Sequence, residues 1–376
     1  MNIDAPLQLL DGLSPRAFMR RHWHKKPLVI RQAIPGFRPP LDRSALFKLA
    51  AQDDVQSRLV ERGAECDSSG WTLRNGPFGR RALPPLSRAG WTLLIQGVDL
   101  LDDQVHALMN QFRFVPDARL DDVMVSYATD AGGVGPHFDS YDVFLLQAHG
   151  QRHWRIGRQK DLSLLSDLPL KILAHFEPEM EFVLEPGDML YLPPRYAHDG
   201  IALGECMTYS IGFRSPASAE LASEMLQRLA QDAIEATSDR LYRDSGQDAT
   251  DRCGRIPSTL VEFTHNAVHD VLQDPLALWR VLGEYLSEPK AHVVFDSGVP
   301  VAFKGALKLD RRTRMMYDEH HVFVNGESFL ASGRDAQLMR LLADVRQLDL
   351  AEVKRLSAPA RALVMDWCAA GWMHGS

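Results

Sequence analysis

Apolar residues along the chain recur first at helical spacing, then in short alternating runs, then at helical spacing again. SPRAFMRRHWHKKPLVI, residues 14–30, reads as a helix with Ser14 at its start and Pro15 behind it, then a short strand after Pro27. Residues 42–61 and 103–113 read as helices, with a strand candidate, WTLLIQGV, at 91–98. From 121 to 216 the texture changes. DVMVSYA, DVFLLQAHG, RHWRIG, EFVLEPGD, MLYLPP and MTYSIGF follow one another as short strand candidates separated by turn signals. Such spacing predicts an antiparallel barrel or sandwich, not a parallel sheet alternating with helices.

After Pro216 the strands stop. Leu221, Met225, Leu226, Leu229 and Ala233 mark a helix over 218–237. Two further helices, 258–273 and 275–288, are split by Pro275 and carry Leu260, Phe263, Val268, Val271, Leu272, Leu278, Leu282 and Leu286. Such helices mediate dimers or simply pack internally, and the pattern allows both. Residues 292–376 mix strand candidates (HVVFD, HHVFVNG, ESFLASG) with helices at 336–346 and 359–370, a texture that fits a small α+β module such as a winged helix. The last helix stops at a glycine followed by an aromatic. The division expected is therefore 1–216, 217–290 and 291–376, in an α+β chain.

Length agrees with this division, because 376 residues exceed what one ordinary core organises. The net charge of -7 argues against binding nucleic acid through the whole surface, while leaving room for a local basic patch. Cys66, Cys206, Cys253 and Cys368 form no CxxC pair, so neither a disulfide framework nor a zinc finger is expected. The N-terminal MNIDAPLQLLDGLSPRAF lacks the basic start and apolar core of a secretory signal. No apolar run reaches membrane-spanning length, and cytoplasmic location is the default expectation.

The chemistry centres on GPHFDSYDVF, residues 135–144. Two histidines and one carboxylate on one face of a metal leave positions open for co-substrate and oxygen. On a strand, His137 and Asp139 share a face, because side chains alternate. A second histidine must then come from a segment nearby in space. His198, after GDMLYLPPRYA, is the candidate. HxD alone is a weak signal in a chain with 14 histidines, and His175-Phe176-Glu177 repeats it in the loop-like HFEPEMEF.

GGVGPHFDSYDVFLLQAHGQRHWRIG, EPGDMLYLPPRYAHDG and MTYSIGFRSP together carry more. They resemble the bacterial JmjC-type 2-oxoglutarate oxygenases, and more narrowly the ribosomal oxygenases that hydroxylate an arginine of ribosomal protein sixteen of the large subunit. The N-terminal WHKKPLVIRQA is similar to that family's opening segment. The resemblance runs through residues 1–216 and continues more loosely to the C-terminus. It implies a double-stranded β-helix (JmjC/cupin-like) barrel, a helical dimerisation region and a winged-helix-like C-terminal domain. It also implies Fe(II), 2-oxoglutarate and O2, a ribosomal-protein substrate and a homodimer.

The resemblance makes His137, Asp139 and His198 the metal ligands. It puts Arg152 on the far carboxylate of 2-oxoglutarate, a match of guanidinium fork to carboxylate, with Arg155 as competitor. Thr208 faces the co-substrate where the family often has a larger amide. Asp130 binds the substrate guanidinium, although a turn-capping aspartate before Ala-Gly-Gly is the plainer alternative. Tyr141 lines the pocket mouth or is an ordinary strand aromatic. Gly132, Gly133 and Gly135 allow tight turns. The other readings are hydroxylation of a different residue such as histidine, a non-catalytic binding module, and a zinc hydrolase with its own general base. The basic strip KGALKLDRRTRMMY, 304–317, would touch nucleic acid or an acidic partner, or form a solvated face; DEHH directly after it favours the latter.

Overall fold

Ser14 starts the first helix as expected. Its hydroxyl accepts from the Ala17 amide, and Pro15 opens α1, Pro15–Arg21. In this computed structural model, residues 2–63, 70–236, 241–274, 276–298 and 305–375 are described. Cys66, Thr237, Pro275 and Lys304 lie outside the described residues. Contacts divide the chain into two units, Met1–Ser215 and Pro216–Ser376.

The first unit continues with β1 (Leu28–Ile30), α2 (Arg43–Leu49), β2 (Ser57–Arg62), β3 (Trp71–Asn75), β4 (Trp91–Ile95), α3 (Asp103–Asn110) and β5 (Leu120–Ala128). Then follow β6 (Val143–Gly157), β7 (Met180–Leu184), β8 (Met189–Leu192) and β9 (Ala197–Phe213). They form one sheet of order β1-β8-β6-β9-β5-β4-β2-β3, with β7 also on β6. Alternation assigns the two faces. Phe144, Leu146, Tyr209 and Ile211 join a large core with Phe18, Leu46, Val105 and Phe112 from the helices and their flanks. Val143, Leu145, Trp154 and Ile156 turn the other way, against Leu190, Leu192 and Tyr196.

Three expectations are corrected. The helix read over 42–61 ends at Leu49, and Ser57–Arg62 is a strand between β3 and β4. Leu59 enters one core and Val60 another, so both faces are covered and the alternation that marks a strand is lost. DVFLLQAHG and RHWRIG are one bulged strand, β6, not two. Gly150 is a bulge residue in that strand; at φ +61°, a Cβ there would run into the Glu205 carbonyl. HVVFD forms no strand.

The second unit holds α4 (Ser218–Ala236), α5 (Ser258–Leu272), α6 (Ala277–Ser287), β10 (Leu307–Leu309), β11 (Met315–Tyr317), β12 (His321–Val324) and β13 (Glu327–Leu330). After them come α7 (Gly333–Val345), β14 (Gln347–Leu348), α8 (Leu350–Arg355), α9 (Ala358–Ala369) and β15 (Met373–Gly375). Two three-stranded sheets, β14-β10-β15 and β11-β12-β13, pack with these last helices around Leu309, Val324, Leu342, Val364 and Trp367. The stretches read as separate at 217–290 and 291–376 share this unit. Gly283 of α6 lies so close to the Phe323 ring of β12 that a Cβ would collide with it. α9 ends as expected, with Gly371 at φ +76° and the Trp372 amide on the Trp367 carbonyl. The basic strip is tied down internally: Arg312 pairs with Asp310, and Arg314 donates to the Leu286 carbonyl.

Candidate metal centre

The HFD segment lies outside the strands, contrary to the sequence reading. His137 is a single bridge residue that exchanges both backbone hydrogen bonds with His198, at 3.0 and 2.8 Å. Two residues on, the Asp139 carbonyl accepts from the Arg195 amide at 2.7 Å. The segment is thereby fastened to the beginning of β9, which is how residues 61 apart in sequence come together. The approach is tight. A Cβ on Gly133 would sit 2.7 Å from the Gly200 carbonyl, and Gly135 takes φ +79°.

The ligand atoms of His137, Asp139 and His198 all lie within 4.8 Å of one another. His198 Nε2 is 3.7 Å from Asp139 Oδ2. His137 Nδ1 is 2.9 Å from the Gly135 carbonyl and His198 Nδ1 is 3.0 Å from that of Tyr196. A carbonyl only accepts, so each Nδ1 carries a hydrogen and Nε2 is the nitrogen left to face a metal. Burial pushes the His198 pKa down to about 4, with His137 adding to the shift and Asp139 opposing it. His198 is therefore neutral near pH 7, the form that ligates. Two imidazoles and one carboxylate converging on a point match the facial donor set of iron(II) enzymes.

Arg152 shares the inward face of β6 with Trp154 and Ile156. Its guanidinium lies 5.7 Å from the Trp154 ring centroid, and that ring lies 5.9 Å from His198. Gly200 makes room, since a Cβ there would meet the indole at 2.7 Å. Arg152 is 6% exposed, and its Nε and Nη2 are buried with no hydrogen-bond partner among the described residues. A buried cation left in this way costs several kcal/mol in general. The competitor Arg155 faces outward and binds Asp199 at 2.5 Å.

Thr208 is buried, and its hydroxyl is 3.0 Å from Gln147 Oε1. Gln147 is fully buried and donates its amide to the His149 and Gly150 carbonyls. The sequence reading passed over Gln147. Its phase with Val143 and Leu145 on β6 was the available signal. Asp130 is exposed, and its Oδ1 ties the segment after β5 to β9 by accepting from the Gly204 amide at 2.8 Å. Tyr141 is 38% exposed, and partial burial together with the Asp139 and Asp122 carboxylates raises its phenol pKa. Asp122, a second residue the sequence reading passed over, accepts from the Gln96 side chain and the Gly97 amide. The repeat at His175 sits in a loop held through Glu177 and Gln159, and belongs to no three-residue donor cluster among the described residues.

Residues 107–221 match the JmjC domain, and residues 270–374 match the ROXA-like winged helix. The ribosomal protein uL16 3-hydroxylase of Escherichia coli (strain K12) is 40% identical over 207 residues, covering 55% of this chain and 54% of that protein. A probable ribosomal oxygenase of Haemophilus influenzae is 36% identical over 212 residues, 55% of this chain and 51% of that one. The chain thus spans about half the length of the curated relatives it matches. The X-ray structure of E. coli YcfD superposes with a TM-score of 0.83 at 27% identity, covering 96% of this chain and 97% of that one. YcfD, a ribosomal oxygenase from E. coli, in complex with cobalt and 2-oxoglutarate gives 0.79 at 27% identity, covering 96% and 98%. A JmjC domain followed by a ROXA-like winged helix, in an α+β architecture, is thus what this chain has in common with these ribosomal oxygenases, to which it is similar in sequence and in fold.

Proposed function

We propose that this chain is an Fe(II)- and 2-oxoglutarate-dependent oxygenase that hydroxylates an arginine side chain of a large-subunit ribosomal protein. The observation that carries the reading is the buried, unpartnered Arg152 guanidinium, one indole away from the His137–Asp139–His198 donor set. A dicarboxylate held at a metal by its keto-acid end needs a cation for its other carboxylate, and Arg152 offers a fork with nitrogens to spare. The complex of E. coli YcfD with cobalt and 2-oxoglutarate supports the same co-substrate.

When bound, iron(II) with 2-oxoglutarate and O2 supplies the oxidising power for C–H hydroxylation. The chain supplies position. His137 and His198 would hold the metal through Nε2, oriented by the Gly135 and Tyr196 carbonyls. Asp139 contributes the negative charge. Arg152 orients the co-substrate, and Trp154 shields the span between Arg152 and His198 from water. Thr208, braced by Gln147, lines the co-substrate side. Asp130 is the proposed contact for the target guanidinium, through the carboxylate oxygen not used by Gly204.

The uL16 hydroxylase among the relatives supports a ribosomal substrate, and a cytoplasmic location is proposed together with it. No helix of the described residues is long and apolar enough to cross a membrane. The helices of 217–290 are proposed as a homodimer surface: α5 exposes Val261, Val268 and Leu272 along one side, at 56, 56 and 53%. Val268→Asp should then halve the mass seen in analytical ultracentrifugation.

The test of the reaction supplies iron(II), 2-oxoglutarate and an arginine-bearing peptide of the ribosomal protein, and follows succinate and peptide mass together. One added oxygen on arginine is the expected product. Oxygen on histidine, or succinate without peptide oxidation, would overturn the arginine assignment.

A further inference from the structure

The chain is acidic overall, yet one surface of the first unit is basic. Arg20, Arg21, Lys25 and Lys26 surround the end of α1 and are all exposed. Arg158 and Lys160, just past the end of β6, are exposed as well. The two segments touch, since Arg158 Nη2 donates to the Lys25 carbonyl at 3.3 Å. None of these six cations has an ion-pair partner among the described residues, whereas Arg16, Arg31, Arg43, Arg74 and Arg113 of the same unit each have one. Nearby acids are occupied. Asp142 is fully buried against Tyr191 and His24, Glu179 accepts from the Tyr196 hydroxyl, and Glu181 faces His153. Asp161, directly after Lys160, is exposed and accepts from the Ser163 amide, and Glu177 is left as an exposed carboxylate on that flank. Arg20 and Arg21 also suit a helix C-terminus, but the helix accounts for neither Lys26 nor the pair beyond β6.

The patch borders the candidate metal centre. Gly157, the residue before Arg158, pairs with Ala197, and the preceding Ile156 pairs with the ligand His198. We infer that this surface binds the phosphate backbone of RNA beside the entrance to the oxygenase site. The inference rests on the proposed function. A ribosomal protein is itself basic, so these cations repel it, and the polyanion that accompanies it is RNA. Guanidinium and ammonium groups spread over an exposed turn suit phosphates without sequence readout.

The test measures binding of a fluorescein-labelled single-stranded RNA of about 20 nucleotides by anisotropy, between about 50 and 200 mM salt. Six contacts predict a slope of log affinity on log salt of about -4, hence a loss of roughly two orders of magnitude over that range. Arg20→Gln/Arg21→Gln/Lys26→Gln should weaken binding at least tenfold at low salt and flatten the slope by about 2, with the melting transition retained. Arg158→Gln/Lys160→Gln, which leaves α1 untouched, should flatten it by about 1.4. Hydroxylation of a short free peptide should be unchanged in both. An RNA affinity and slope unaltered by either variant would overturn the proposal. So would equal competition by poly-glutamate, which would assign the surface to an acidic protein. RNA binding needs no turnover, so a dead peptide assay with intact, patch-dependent RNA binding would count against the proposed reaction and not against the patch.

Discussion

β6 carries two arginines three residues apart, and their surroundings are opposite. Arg155 faces outward and binds Asp199 across the strand pair, beside a second outward pair of His153 and Glu181. Arg152 faces inward, is buried, and leaves Nε and Nη2 without a protein partner. The outward arginine has a carboxylate partner within the protein, although its Nε is buried without a hydrogen bond. The inward arginine has no carboxylate partner among the described residues, and a buried cation without a counter-charge is costly to fold. A function can thus be read from incomplete pairing more directly than from a charge count.

Removing the metal ligands should break the inward side most severely. Asp139→Ala or His198→Ala should lower succinate formation by more than about a thousandfold, and atomic absorption after dialysis should show the metal lost. Arg152→Leu should come next. Losing a charge-assisted bidentate contact should raise the KM for 2-oxoglutarate by about 100-fold, while thermal unfolding without co-substrate stays level or rises, because a buried unpaired charge is gone. Gly200→Ala pushes the Trp154 indole from its seat and should cost about 1–3 kcal/mol in denaturant unfolding, with a smaller rise in KM. Arg155→Leu supplies the contrast. It strands the buried Asp199 carboxylate, so stability should fall by about 1–2 kcal/mol while the KM for 2-oxoglutarate changes less than about threefold. Thr208→Val should give the smallest effect, about 1 kcal/mol of lost hydrogen bonding to Gln147 and a few-fold change in KM.

Particular residues show how far the sequence alone reached. The HxD spacing, the glycine run before it and the distant His198 all pointed to the donor set that the fold brings together. The reason given was incomplete, since HFD is held by one backbone bridge to His198 and not by a strand of its own. Ser57–Arg62 was misread because a strand covered on both faces shows no alternation. DVFLLQAHG and RHWRIG were read as two strands because a glycine at positive φ serves a bulge and a turn alike, and Gly150 at φ +61° serves a bulge. The pairing state of Arg152 and Arg155 depends on which strands lie alongside β6, and no local pattern encodes that.

The central claim is that Arg152, not Arg155, completes a co-substrate site with the His137–Asp139–His198 centre. The most direct measurement is calorimetric titration of 2-oxoglutarate into cobalt-loaded protein, for the wild type, Arg152→Leu and Arg155→Leu. The account predicts binding in the wild type and in Arg155→Leu, with affinity lowered by about two orders of magnitude in Arg152→Leu alone. Equal affinity in all three proteins would contradict it.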